Sequence, residues 1–421
     1  MAVRRLLIAT YFFPPSAESG AFRMLGFARH LPKFGWEPIV VAAFGKASEP
    51  VDRDLLSRLT PEASVHHVPY PQGRLARAVA HFYPYETWLP KGLAECGRCI
   101  RECCPDALMT SSPPHCLHLL GTRLKRRWKI PWVADFRDPW VTDENPAVRL
   151  SRGTLAAVME KMVMKNADVV IGNAPRACRI IQDAYPAFKD KMITIPNGYD
   201  PESFVGGVAR GPGEQPLRIV HAGELYEGRD PRPLLDALKT FQLPPSLQHR
   251  GLKVRFLGRA AVGGGFDFPT EIERRKLEKT VEICGQVPYR QVLQEILESD
   301  ILLLLDRPGR RVGVPAKLYE YLGARRPILA LAEPDGDVAW VLRESGVPYR
   351  IAAAANATEI ARALVELVNH SASPLASKID QRGIQEFTRE TMARRLAEAL
   401  DSLVWADEKR NRPRSRSLVG S

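Results

Sequence analysis

Short apolar, β-branched runs alternate with amphipathic stretches along almost the whole chain, and the alternation starts twice. The first round holds RLLIAT, EPIVVAA, SVHHVPY, DALMTSS, PWVADF, DVVIGNA and MITIPN. The second holds LRIVHAG, KVRFLG, TVEICGQV, DILLLLD, PILALA and PYRIAAA. Between the first two runs, Met24, Phe27, Ala28 and Leu31 recur at i, i+3, i+4 and i+7, and Gly35 closes that helix. Strand, helix and strand in succession require crossover connections, hence parallel sheets. The glycine- and proline-rich stretch NGYDPESFVGGVARGPGEQP (197–216) separates the two rounds and reads as a linker. The pattern predicts an α/β chain of two doubly wound domains, residues 1–200 and 201–385. A final helix, 386–407, has no strand after it. The tail 408–421 carries five positive charges against one negative with few apolar residues, and is expected to be disordered. In such folds ligands sit beyond the C-terminal ends of the strands, so the cleft is expected where the two sheets face each other.

Composition narrows the functions. No apolar run approaches the ~18 residues that a membrane span needs. The opening MAVRRLLIATYFFPPS has two arginines before an apolar stretch, but no small-residue cleavage site follows, so it reads as a buried first strand. Of seven cysteines, Cys96, Cys99 and Cys103 fall at i, i+3 and i+7 on one helical face. A second ligand pair with zinc spacing is missing, so reduced, partly buried thiols in a cytoplasmic protein are expected, with no metal. Net charge is +12. Residues 1–200 hold 27 Lys+Arg against 19 Asp+Glu, and the rest 33 against 29. Such an excess suits nucleotide phosphates or an anionic lipid surface. Nucleic acid is not expected, because no basic patch interleaved with aromatics occurs.

Four stretches carry candidate chemistry. In GVPAKLYEYLG, Pro315 marks a helix start, because its fixed φ suits the first helical position. The next amides, near Val314, and the helix dipole make an anion site. Lys317 adds a full charge there, and Glu320, one turn on, is placed to accept a pair of hydroxyls. Gly323 is expected to stop the helix. The competing reading makes Lys317 and Glu320 a surface i, i+3 pair. In IVHAGELYEGRDPRPLLDAL a strand ends at His221-Ala222-Gly223, and Arg229 precedes a helix near Pro231, where it either meets the same anion or is solvated. In TYFFPPSAESGAFR, Gly20 allows close backbone approach and Arg23 sits on the first helical turn. The G-x-G-x-x-G dinucleotide fingerprint is absent. In IPWVADFRDPW, Asp135, Arg137 and Asp138 lie at a strand end, beside TSSPPH with His115. They are candidate acceptor-side catalytic residues or, alternatively, a self-satisfied cluster that shapes the loop.

Taken together, YFFPPSAESGAFR, ADFRDPW, IPNGYDPESF, HAGELYEGRDPRPLLDAL and VPAKLYEYLGARRPILA resemble the GT-B glycosyltransferases of the family-4 type, over nearly all of residues 4–405. The resemblance implies two Rossmann-like domains facing across a cleft, with the acceptor on the first and a nucleotide-sugar donor on the second. The helix 386–407 would return to the N-terminal domain. The resemblance assigns donor binding to Gly223, Arg229, Val314, Pro315, Lys317, Glu320 and Tyr321, with Glu320 on the ribose and Arg229 on the diphosphate. It implies retaining, metal-independent transfer of a hexosyl group to a glycan or lipid-linked acceptor in cell-surface polysaccharide synthesis. No cofactor beyond the nucleotide sugar is expected. The cytoplasmic protein is expected to touch the inner membrane face peripherally. Three positions depart from the family pattern: Val312 replaces the first glutamate of E-x7-E, Glu224 replaces an arginine, and Arg137 replaces a histidine. Two other readings are a nucleotide-sugar epimerase of the same fold and a non-catalytic partner subunit.

Overall fold

Strands inside a parallel sheet are covered on both faces, so they carry apolar residues at every position. Ile301–Leu305 (ILLLL) is buried throughout, and so is Trp132–Phe136 (WVADF), whose one charge is Asp135. A computed structural model of the chain describes residues 3–45, 51–70, 85–142, 153–205, 216–225, 228–259, 267–371 and 381–411. The chain divides into two units, Met1–Pro196 with Arg389–Ser421, and Asn197–Thr388.

The first unit is built on seven strands: β1 Arg4–Thr10, β2 Trp36–Phe44, β3 Ser64–Pro69, β4 Ala107–Ser111, β5 Trp132–Phe136, β6 Val169–Gly172 and β7 Met192–Thr194. They pair in parallel in the order β3-β2-β1-β4-β5-β6-β7. The second unit holds β8 Leu217–Ala222, β9 Leu252–Leu257, β10 Val281–Gly285, β11 Ile301–Leu305, β12 Ile328–Leu331 and β13 Tyr349–Ala352. These pair in parallel in the order β10-β9-β8-β11-β12-β13. Both sheets reverse direction once, between β1 and β4 and between β8 and β11. At such a reversal the connections leave to opposite sides and open a crevice at the strand C-termini.

In the first unit, one face of the sheet packs the helix Ser19–His30 and the helix Arg389–Asn411. Met24, Phe27 and Ala28 share a core with Met392, Leu396, Leu400 and Val404. The predicted stripe therefore does bury itself, but the helix ends at His30, earlier than expected: Leu31–Phe34, with Pro32 inside it, forms a 3-10 turn, and Gly35 ends that turn with φ 80°. The last helix runs on to Asn411, so residues 408–411, expected in the tail, are helical. Lys409 Nζ stacks 3.7 Å from the centre of the Trp405 ring, an i, i+4 contact that extends the helix. The rest of that tail, 412–421, and the linker centre, 206–215, lie outside the described residues. The helix Leu89–Cys103 buries Cys96 and Cys99, and all seven thiols are free. Burial pushes the Cys99 thiol up to about 11, the opposite of a reactive cysteine. Among the described residues no helix is long and apolar enough to cross a membrane.

Candidate functional site

At the β8/β11 reversal the backbone needs partners that the sheet cannot supply. Buried Tyr321 provides them: its hydroxyl accepts from Ala222 N at 2.8 Å and donates to Leu303 O at 3.2 Å. His221, wholly buried at the end of β8, holds its Nδ1 2.9 Å from the same Leu303 carbonyl. A carbonyl only accepts, so Nδ1 carries the proton and Nε2 presents a lone pair. Lys317 Nζ lies 3.3 Å from that Nε2. Burial and the neighbouring Lys317 charge keep the imidazole neutral, its pKa well below the ordinary value.

The ammonium of Lys317 lies directly over Gly223, and a β-carbon there would collide with it. Gly223 also has φ 130°, which an L side chain resists. Burial, and then the charge of Arg229, depress the Lys317 pKa to about 7, against the opposing pull of Asp306, Glu320 and Glu224. Arg229 is itself 6% exposed and follows Gly228, which has φ 84°. Two cations thus share one enclosed place, an arrangement that an anion would relieve.

The helix that carries Lys317 spans Lys317–Ala324, with Lys317 as its first residue. Pro315 therefore lies just before the helix instead of at its first position. Its carbonyl accepts from Leu318 N at 3.0 Å, and Val314 and Pro315 are both buried. The preceding loop is tied down from below. Gly309 N donates to Glu333 Oε1 and Gly313 N to Asp337 Oδ2, each at 2.8 Å. Glu320 accepts from the Tyr289 hydroxyl at 2.9 Å, so the two residues expected to form an i, i+3 pair or an anion site have separate partners. Gly323 does not stop the helix. Arg325 does, in the left-handed region at φ 54°, while a β-carbon on Gly323 would strike Phe204 and Tyr199. Glu224 faces Arg259 at 3.7 Å on the surface.

In the first unit, Arg23 and Asp135 form a bidentate pair at 3.1 and 2.8 Å, with side chains 3% and 0% exposed. The remaining Arg23 donors reach Ile195 O and Pro196 O, and Ser111 donates to Asp135 at 2.7 Å. Both residues were candidates for contact with substrate, but their polar atoms are satisfied and enclosed, and together they clamp β5 to the end of β7. His115 Nε2 donates to the backbone carbonyl of Asp138 at 2.8 Å, and its ring stacks on Trp140 at 5.6 Å. The Asp138 side chain is exposed. Arg137 and Gly20 are brought together: a β-carbon on Gly20 would lie 2.8 Å from Arg137 Nη1 and 2.9 Å from Phe12 Cδ2.

Sequence reasoning did not assign His221, Tyr289 or Asp337 to the site. Each acts on a residue far away in the chain, and no local pattern reports such a pairing. Among the described residues one group has metal-ligand character, His66, Glu95 and Cys99, with ligand atoms within 4.8 Å of one another. Arg98 stands where a cation would, donating to Glu95 and to His66 Nδ1.

Residues 20–198 match the family model described as a glycosyl transferase 4-like domain. No curated protein is significantly similar in sequence. Solved structures share the fold across nearly the whole chain. HepE from Anabaena, solved with UDP, is 15% identical with a TM-score of 0.63, covering 94% of this chain and 100% of its own. A glycosyltransferase from Rickettsia africae is 14% identical with a TM-score of 0.65, covering 95% and 99%. Sucrose-phosphate synthase from Thermosynechococcus elongatus is 15% identical with a TM-score of 0.67, covering 96% and 100%. The chain has the GT-B fold of these structures, and its residues 20–198 are similar to a glycosyl transferase 4-like domain.

Proposed function

We propose that the chain transfers a glycosyl group from a nucleotide diphosphate sugar to an acceptor hydroxyl, with retention at the anomeric carbon and without a required metal. The observation that carries this reading is the pair of cations, Lys317 and Arg229, enclosed at the β8/β11 crevice beside the start of a helix. As the bond from the anomeric carbon to the diphosphate oxygen breaks, its electron pair stays on that oxygen, the acceptor oxygen bonds to the anomeric carbon, and the acceptor's proton passes to the leaving diphosphate. Lys317, Arg229 and the amides after Val314 stabilise the charge that develops on the leaving diphosphate. Glu320, held by Tyr289, accepts the ribose hydroxyls. That HepE was solved with UDP and with UDP-glucose supports a uridine nucleotide as the donor's carrier.

The acceptor belongs to the first unit, near Gly20, His115, Arg137 and Asp138, and is a glycan or lipid-linked saccharide of cell-surface polysaccharide synthesis. The protein works in the cytoplasm on this reading, and its basic charge supports peripheral contact with the anionic inner membrane face. The test is to incubate the full chain with single nucleotide sugars, with and without saccharide and lipid-phosphate acceptors. Acceptor-dependent release of nucleoside diphosphate supports the reading. A new epimer formed without any acceptor contradicts it.

A further inference from the structure

The helix Leu89–Cys103 carries Glu95 and Cys99 four residues apart, so both side chains leave the same face. His66 comes to that face from β3, the edge strand of the first sheet, and its Nδ1 lies 3.1 Å from Glu95 Oε1. A ring nitrogen of His66, a carboxylate oxygen of Glu95 and Cys99 Sγ all lie within 4.8 Å of one another. Arg98 Nη2 donates to both Glu95 Oε1 and His66 Nδ1. A guanidinium only donates, so Nδ1 carries no proton and turns its lone pair inward. A lone pair and a carboxylate oxygen held this close repel each other unless a cation lies between them. Arg98 is that cation in the free protein. It also has a second partner, Glu102 Oε2 at 2.6 Å, and its side chain is 42% exposed. The guanidinium can therefore leave the centre and keep an ion pair on the helix surface.

We propose that His66, Glu95 and Cys99 form a zinc site guarded by Arg98: the metal takes the centre and the guanidinium withdraws to Glu102. The donor set decides the class of metal. Imidazole nitrogen, carboxylate oxygen and thiolate sulfur together suit zinc, whereas magnesium and calcium take oxygen ligands. Around tetrahedral zinc a nitrogen and an oxygen ligand stand about 3.3 Å apart. The 3.1 Å between His66 Nδ1 and Glu95 Oε1 is close to that. Cys99 Sγ closes in by rotating its side chain, gives its thiol proton to solvent and binds as thiolate, and water completes the fourth position. His66 and Glu95 are partly open to solvent, which provides the entry path. Bound zinc ties edge strand β3 to the helix that covers it and so stabilises the first unit. The site uses none of the residues assigned to donor or acceptor and stands independently of the proposed transfer reaction.

The test is titration of the full, reduced chain with Zn²⁺ in competition with a metal-binding dye, and with Co²⁺ read through its thiolate absorption band. Cys103 and Cys104, half-buried and exposed, offer adventitious thiols, so every protein carries Cys103→Ser and Cys104→Ser. In that background the parent should bind one zinc per chain, melt higher with it, and ignore Mg²⁺. His66→Ala, Glu95→Gln and Cys99→Ser should each weaken zinc by about tenfold or more. Arg98→Ala should do the opposite and tighten it, because the competing cation is gone. A cluster that only braces the helix predicts no such gain. No saturable one-to-one binding by the parent, affinity unchanged by the three ligand variants, or Arg98→Ala binding no tighter than the parent overturns the site. Zinc bound only by Arg98→Ala also overturns it, for the guanidinium then holds the centre permanently. Should Cys99→Ser fail to fold, the Co²⁺ complex of the parent decides: a thiolate band supports the site, and its absence overturns it.

Discussion

Lys317 Nζ sits 3.3 Å from the unprotonated Nε2 of His221, whose other nitrogen is fixed on Leu303 O. The ring cannot turn to offer a proton, so it steers the lysine over Gly223. With a pKa of about 7 in the free protein, Lys317 changes charge in the physiological range.

Nucleotide affinity should therefore depend on pH with a definite sign. A bound diphosphate favours the ammonium and raises the Lys317 pKa in the complex. Below about pH 7 the lysine is already charged and affinity is full. Above it, binding must take up a proton and affinity should fall, by up to about tenfold per pH unit. Calorimetry from pH 6 to 9 in buffers of different ionisation enthalpy checks both the slope and the proton uptake. Lys317→Met should flatten the profile.

The same lysine should cost stability. Its folded pKa lies below the unfolded value near 10.4, so between about pH 7 and pH 10 the unfolded chain binds more protons. The penalty is complete below pH 7 and disappears as pH rises towards the unfolded value. Lys317→Met should melt higher than wild type at pH 6.5 while binding nucleotide more weakly. A lower melting temperature with unchanged affinity would make Lys317 a structural residue.

Gly323 answers a packing constraint. A β-carbon there would meet Phe204 and Tyr199, two large rings packed edge to face at 6.1 Å. Gly323→Ala should destabilise the protein by about 1–3 kcal/mol, an overpacking cost, despite alanine's better helix propensity. Denaturant unfolding measures it, and a stabilised variant would contradict the contact.

Divalent metal should not be needed for transfer if, as proposed, Lys317 and Arg229 supply the charge that faces the diphosphate. Turnover in excess chelator, compared with turnover in added Mg²⁺ or Mn²⁺, checks this. Activity lost in chelator and restored by the ion contradicts it.

The layers of the fold were legible because central parallel strands advertise themselves. LLIA and ILLLL are apolar at every position and buried at every position. Helix ends were less legible. Gly323 looked like a stop and is a packing glycine, while the real end, Arg325, adopts a left-handed conformation that nothing in ARRP announces. Lys317, Glu320 and Arg229 stood out through their place near helix starts. Arg23 stood out for the same reason and Asp135 for its place at a strand end, yet they are bound to each other across 112 residues. His221 and Lys317, 96 residues apart, meet only because β8 and β11 are neighbours. Long-range pairing of this kind belongs to topology and leaves no local periodicity.

The central claim is that Glu320, set by Tyr289, holds the ribose of a nucleotide bound at Lys317 and Arg229. Its most direct test is titration of UDP, GDP, ADP and dTDP into folded wild type and folded Glu320→Ala by calorimetry. The account predicts that at least one nucleotide binds wild type and that Glu320→Ala loses roughly 1–3 kcal/mol of that affinity, the worth of charged hydrogen bonds, with its melting temperature preserved. A wild type that binds none of the four, or a folded Glu320→Ala that binds as tightly as wild type, would contradict it.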